Sequence, residues 1–258
     1  MKNSPVFSIL LVMFCLAAGP SPARAGDVIH VVTPEWERQT NRDGSGLFFD
    51  IVRAVYQPAG IAMTYTFFPW KRCQATVNAK RADAMLCVWQ AHARKQNQLI
   101  PRFPIFVEKT VAVFKNASRF NWHGIHTLDY KRAVWLRGYD YHKDEAMAEI
   151  QLARWHEVDS HEDAWRQLNL DRFDMYIEAQ IDLDNFIREH RIDMNLYEKK
   201  VLWRENAYVA FANTERSKHL IRVFDRRIQE IFKSGELARI YRRWNQAFDP
   251  EPWQAASE

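Results

Sequence analysis

The sequence has 258 residues, 47% of them hydrophobic and 26% charged, with a formal net charge of +4. That length accommodates one large domain or two lobes. Ten tryptophans stand against only eight glycines, and neither G-x-G-x-x-G nor G-x-x-x-x-G-K-[ST] occurs, which argues against the common dinucleotide-binding and P-loop folds.

Residues 1–25 read as a secretory signal. Lys2 supplies the positive start, Phe7 to Ala18 is an apolar run too short to span a membrane, and Ala23-Arg24-Ala25 ends in a small-x-small cleavage pattern. Cleavage after Ala25 removes Lys2 and Arg24 and no acid, leaving +2 over 233 residues (258 − 25). So weak a charge gives no reason to expect nucleic acid as a partner, and the expected location is the periplasm. Two cysteines then remain, Cys73 and Cys87. In an oxidising compartment they can form a disulfide closing a loop of about 15 residues, worth at most ~3 kcal/mol; two buried free thiols are the alternative.

In chain order, Val28 to Val32 reads as a buried strand, followed by a polar loop ending in Asp43-Gly-Ser-Gly46. Leu47, Ile51, Ala54 and Val55 recur at helical spacing, and Pro58 with Gly60 stop that helix. Ile61 to Phe68 predicts a second strand, Lys71 to Ala79 a short helix and Ala84 to Val88 a third strand. Alternation of this kind is the signature of βαβ units and a parallel sheet. After Pro101 to Pro104, Thr110 to Phe114 predicts a strand. A second series follows: strand Arg132 to Leu136, helix Asp144 to Ala153, strand Trp155 to Asp159, helix His161 to Leu170 with Ser160 as N-cap, strand Phe173 to Ile177 and helix Leu183 to Glu189. Val209 to Ala212 is a last strand. Ser217 to Lys233 is an amphipathic helix, continued past Gly235 by Leu237, Ile240, Tyr241 and Trp244.

Several segments together resemble the extracellular solute-binding proteins of family 3, whose best-known members deliver polar amino acids to ABC importers. They are Gly46-Leu-Phe-Phe-Asp-Ile-Val-Arg-Ala-Val55, Pro69-Trp70, Arg81-Ala-Asp-Ala-Met85, Arg94 and the late Lys233-Ser-Gly-Glu-Leu-Ala-Arg-Ile-Tyr-Arg-Arg-Trp244. The resemblance implies an α/β fold: a two-lobed clamp of the periplasmic-binding-protein-like type II kind with two chain crossovers, near Lys115 to Phe120 and Glu205 to Tyr208. Residues 26–115 and 208–258 would form one lobe and 116–207 the other. It also implies that Arg94 grips a ligand carboxylate, as a planar guanidinium matches two oxygens, that aromatics after the first strand and near Trp70 wall the pocket, and that an acid at the end of the last strand of lobe two meets an amino group. At that acidic position this sequence has Ala179, with Glu178 beside it and Asp182 just beyond; it has Gly138-Tyr139 where Gly-Thr is usual, and it lacks the usual Thr before Arg94.

The candidate ligand-binding residues are therefore Trp36, Trp70, Arg72, Trp89, Arg94, Tyr139 and Glu178. Trp36, Trp70 and Trp89 fall at strand ends or loop-to-helix junctions, where clefts of open α/β sheets form, whereas Trp165, Trp203 and Trp244 lie inside regular elements and read as core. Arg72 follows Trp70 at a helix start, a place that favours anions. His123-x-x-His126 has zinc-like spacing without the ligands to complete a site, so no metal and no cofactor is expected. The function expected is a monomeric, non-catalytic protein that encloses a small carboxylate-bearing polar solute, an amino acid in its simplest version, and hands it to an ABC permease. A sensor partnered with a membrane receptor is one alternative. A dehydratase-like enzyme using Glu178 or His92 as general acid is the other.

Overall fold

The computed structural model of the protein describes residues 27–116 and 121–254. The expected signal segment lies outside the described residues. Eight strands form one mixed sheet: β1 (Asp27–Thr33), β2 (Ile61–Phe67), β3 (Ala84–Trp89), β4 (Phe106–Lys115), β5 (Arg132–Leu136), β6 (Arg154–Val158), β7 (Met175–Ala179) and β8 (Tyr197–Phe211). Their order is β2-β1-β3-β8-β4-β7-β5-β6. Two parallel triplets, β2-β1-β3 and β7-β5-β6, flank a central antiparallel pair. In that pair β4 and β8 run together from Phe106 opposite Ala207 to Lys115 opposite Tyr197.

This pair joins the two lobes. β8 meets β3 of the first lobe at Ala207 to Phe211, while β4 meets β7 of the second at Thr110 to Val113. The first crossing therefore falls near Glu108 and Lys109, several residues before the expected Lys115 to Phe120. The mostly polar stretch Tyr197 to Tyr208, whose apolar residues before Ala207 beyond Tyr197 are Val201 to Trp203, is strand because it pairs along β4 and, at Ala207 and Tyr208, also with β3.

Among the described residues eight α-helices cover the sheet: α1 (Leu47–Tyr56), α2 (Trp70–Asn78), α3 (Gln90–Lys95), α4 (His161–Asn169), α5 (Gln180–Glu189), α6 (Glu215–Lys233), α7 (Glu236–Arg243) and α8 (Glu251–Gln254). Leu47, Phe48, Ile51, Val52 and Val55 put the apolar face of α1 into the core, beside Leu220 and Phe224 of α6. Tyr56 there donates its hydroxyl to the Leu220 carbonyl at 3.0 Å, so its burial leaves no polar atom unpaired. Ser160 and Thr214 cap α4 and α6 by accepting from the amides of Asp163 and Ser217, each at 3.1 Å.

The helix expected at Asp144 to Ala153 is absent. Short 3-10 turns occupy Tyr141–Lys143 and Glu145–Met147 instead. The following residues spend their backbone on a neighbouring turn, Ala153 N–H donating to Lys131 O at 3.0 Å and Gln151 O accepting from Tyr130 N–H at 2.7 Å. Those long-range bonds take the groups a helix would have used.

No disulfide joins Cys73 and Cys87. Cys73 belongs to the apolar cluster with Val32 and Met85, and Cys87 packs against the other cluster, with its side chain beside Glu108. β3 is irregular between Met85 and Val88, and Cys87 there has a left-handed φ of 58°, the extra residue of a bulge that redirects a side chain.

Candidate ligand-binding site

The ends of β1, β3, β5 and β7 converge between the lobes, where open α/β sheets place ligands. A cavity with about 530 Å³ of atom-free space, part of it open to solvent, is lined there by Trp36, Trp70, Trp89, Tyr139, Tyr141 and other residues including Glu108 and Asp182. Trp36 comes from the loop after β1, Trp70 opens α2 and Trp89 ends β3. The rings of Trp36 and Trp70 lie 5.9 Å apart, Tyr139 stacks on Tyr141 at 5.8 Å, and Trp89 stacks on His92 at 5.5 Å. Trp203, expected in the core, is half-buried behind this wall, its ring 6.5 Å from Trp89 and 6.0 Å from Tyr141. Trp165 is buried among Tyr176 and Phe186, and Trp244 donates its ring N–H to Asp50 at 2.9 Å.

The loop bearing Trp36 is held before any ligand arrives. Thr40 accepts from the Trp36 amide at 3.1 Å, donates to Pro34 O at 2.8 Å, and its own amide returns to Trp36 O at 2.9 Å. Gly46 seals it: φ is +132°, and a Cβ there would stand 2.3 Å from the Gln39 carbonyl oxygen. Only glycine lets the start of α1 approach the loop so closely.

Three contacts from this loop and one from α2 tie the lobes together. Trp36 Nε1 donates to Tyr139 Oη at 3.2 Å, Gln39 Nε2 to Asp182 Oδ1 at 2.5 Å and Asn185 Nδ2 to Glu37 O at 3.0 Å, while Lys71 Nζ lies 3.6 Å from Asp140. The clamp is closed.

Charge inside the cavity is acidic. Burial, with repulsion from Asp182, raises the Glu108 carboxyl to about 8. Its partners are Cys87 Sγ, donating at 3.5 Å, and the Trp89 side chain. Burial and the nearby Glu178 likewise push Asp182 upward. Glu178 stands behind the wall, fully buried, and accepts from Tyr176 Oη at 2.9 Å, Tyr141 Oη at 3.3 Å and the Ala179 amide at 2.8 Å. Burial is the main cause of its raised pKa too. His92, in the lining, is shifted down by burial and so favours its neutral form.

The structure thus brings Trp36, Trp70, Trp89 and Tyr139 round one cavity and sets Glu178 one layer behind it. Arg94 is exposed on α3 and takes no part in the lining. Arg72 is exposed as well, its guanidinium 4.3 Å from the Phe68 ring. The carboxylate grip expected of these two arginines has no counterpart in the cavity, because each projects from its helix on the solvent side. Glu108 and Gln39 escape sequence reading, and Asp182, placed there just beyond the expected acidic position, is not among its candidates. Glu108 stands just ahead of the strand expected at Thr110, and Asp182 enters the cavity because α5 begins at Gln180, three residues earlier than its apolar spacing indicates.

The profile of the bacterial extracellular solute-binding proteins, family 3, matches residues 30–247. The chain belongs to that family. Solved structures repeat the fold at low sequence identity. A substrate-binding protein of an ABC uptake transporter from Streptococcus pneumoniae with bound histidine is 17% identical, with 84% of this chain and 92% of that one covered at a TM-score of 0.68. The GluR0 ligand-binding core in complex with L-glutamate is 14% identical, with 86% and 99% covered at 0.70. A mutant of ArgBP from T. maritima is 16% identical, with 84% and 94% covered at 0.64. No curated protein is similar in sequence to this chain. Members of the family are extracellular solute-binding proteins, and among the described residues no helix is long and apolar enough to cross a membrane.

Proposed function

We propose that this protein is a periplasmic solute-binding clamp that closes on a small solute carrying an ammonium group and presents it to an ABC permease. The observation that carries this reading is the presence, in one cavity, of two carboxyl groups, Glu108 and Asp182, with a wall of five aromatic rings, Trp36, Trp70, Trp89, Tyr139 and Tyr141. Carboxylates accept N–H bonds and neutralise the cation, and ring faces attract what charge remains while covering an apolar body. Closure is favoured by the same ligand, since Asp182 belongs to the second lobe and the Trp89 wall to the first, and a cation between them binds the closed state alone.

The alternative of a dehydratase with Glu178 as general acid is not supported by its position, since both its oxygens are engaged by tyrosine hydroxyls behind the lining. Isothermal titration of the purified protein with amine-bearing solutes, amino acids included, tests the proposal. Saturable binding lost in Asp182→Asn supports it. Absence of binding for every cationic solute at millimolar concentration refutes it.

A further inference from the structure

An α-amino acid carries its carboxylate two bonds from its ammonium group, so a cavity that takes one must meet both charges. Here the described lining residues offer no cation to the anionic end. No lysine or arginine is among the lining residues, and burial favours the neutral form of His92. Most of the side-chain donors are turned toward the protein's own acceptors, Gln39 to Asp182, Cys87 and Trp89 to Glu108, Tyr141 to Glu178 and Trp36 to Tyr139; the Tyr139 hydroxyl, which accepts there, keeps its own proton, but it carries no charge. The start of α5, where free amides would attract an anion, carries Asp182 in its first turn, and the Ala179 amide is taken by Glu178. What remains for a ligand is carboxylate oxygens, ring faces and uncharged donors such as the Tyr139 hydroxyl.

The surroundings agree. The outer cleft that shares Trp36 and Asp182 with the cavity carries Glu35, Glu37, Glu162 and Glu189, with Arg137, His161 and His190 on the other side of the balance. On the opposite flank, beyond Trp70 and His92, stand Lys71, Lys95 and Lys143. Lys71 and Lys143 are paired with Asp140 at 3.6 and 3.1 Å. None of the three is among the lining residues of the cavity.

We infer that the ligand is a small amine without a carboxylate, an ammonium or guanidinium cation on a short apolar body. This rests on the reading of the cavity as a clamp for amine-bearing solutes and narrows it. A zwitterion would leave its anion buried without a cationic partner beside two acids, which is strongly unfavourable. A decarboxylated amine presents only the charge the cavity is built to meet.

Matched pairs decide the matter. Putrescine and ornithine, agmatine and arginine, and histamine and histidine differ within each pair by the carboxylate alone. Titration calorimetry of the purified protein at pH 8 is expected to show at least one amine binding about 100-fold or more tighter than its parent amino acid, the factor of a buried unpaired charge. The isosteric variants Glu108→Gln and Asp182→Asn, checked for unchanged far-UV circular dichroism, are expected to weaken that amine at least about tenfold each. An amino acid bound as tightly as its amine overturns the inference and leaves the clamp for amine-bearing solutes standing. Binding of neither class overturns both. Amine binding indifferent to both variants places the cation elsewhere and also overturns the inference.

Discussion

Glu108→Gln separates the energetic cost of the acidic cavity from its use. The side chain keeps its shape and loses the ability to ionise. In the folded protein Glu108 holds its proton up to about 8, against an ordinary value of 4.5. Burial therefore opposes the charged form, and the stability this group contributes is fully present below pH 4.5 and is lost as pH rises through 8. Each pH unit between those limits is worth about 1.4 kcal/mol, so full ionisation costs the fold roughly 5 kcal/mol in the limit. Glu108 is partly exposed and the cavity admits water, which screens the charge; about 2 kcal/mol is the magnitude we carry forward. For a chain of this size that corresponds to roughly 4–8 °C in Tm. Thermal melts of wild type and Glu108→Gln without ligand, from pH 5 to pH 9, are the assay. The two are expected to lie close together at pH 5 and to diverge progressively up to about pH 8, with the variant the more stable. Parallel melting curves across the whole range, or a gap that opens toward acid, would refute the reasoning.

Trp36→Phe keeps the ring and removes the bond to Tyr139 across the lobes, so ligand affinity should fall about fivefold, the worth of one hydrogen bond near 1 kcal/mol; calorimetry showing no change would mean that this contact does not help hold the clamp shut. Gly46→Ala forces a methyl group against the Gln39 carbonyl at a left-handed φ, and is expected to lower both Tm, by several degrees, and affinity, because the displaced loop carries Trp36 and Gln39. Cys73, whose thiol burial raises to about 12, and Cys87, raised well above its ordinary value by burial and by Glu108, should resist DTNB in the folded protein and react fully in guanidinium without reductant. A reductant requirement would reveal a disulfide.

The regular skeleton was legible because it rests on local pattern. The β-branched run at Val28, the helical spacing of Leu47 to Val55 and the Ser160 cap each state their element within a few residues, and burial follows from the same pattern. Two features misled. The Asp144 to Ala153 segment has helix-forming residues but gives its backbone to the turn at Tyr130 and Lys131. The polar half of β8 has only the short apolar run Val201 to Trp203, because pairing with β4, not burial, makes it strand.

For the site, the sequence by itself determined the aromatic wall. Trp36, Trp70 and Trp89 sit at chain reversals beside strand ends, and a strand end in an open α/β sheet opens on the cleft whatever the rest of the fold does. The sign of the charge inside was decided by tertiary structure alone. Whether Arg94 or Glu108 meets the ligand depends on which way a six-residue helix faces and on where β4 leaves the first lobe, and neither has a local signature. A guanidinium gains by staying in water when no anion is fixed nearby, so Arg94 and Arg72 turn outward. Glu108 and Asp182 face inward because strand pairing and an early helix start leave their backbones no other orientation, and the cost of burying them is the clearest sign of what the cavity is shaped to hold.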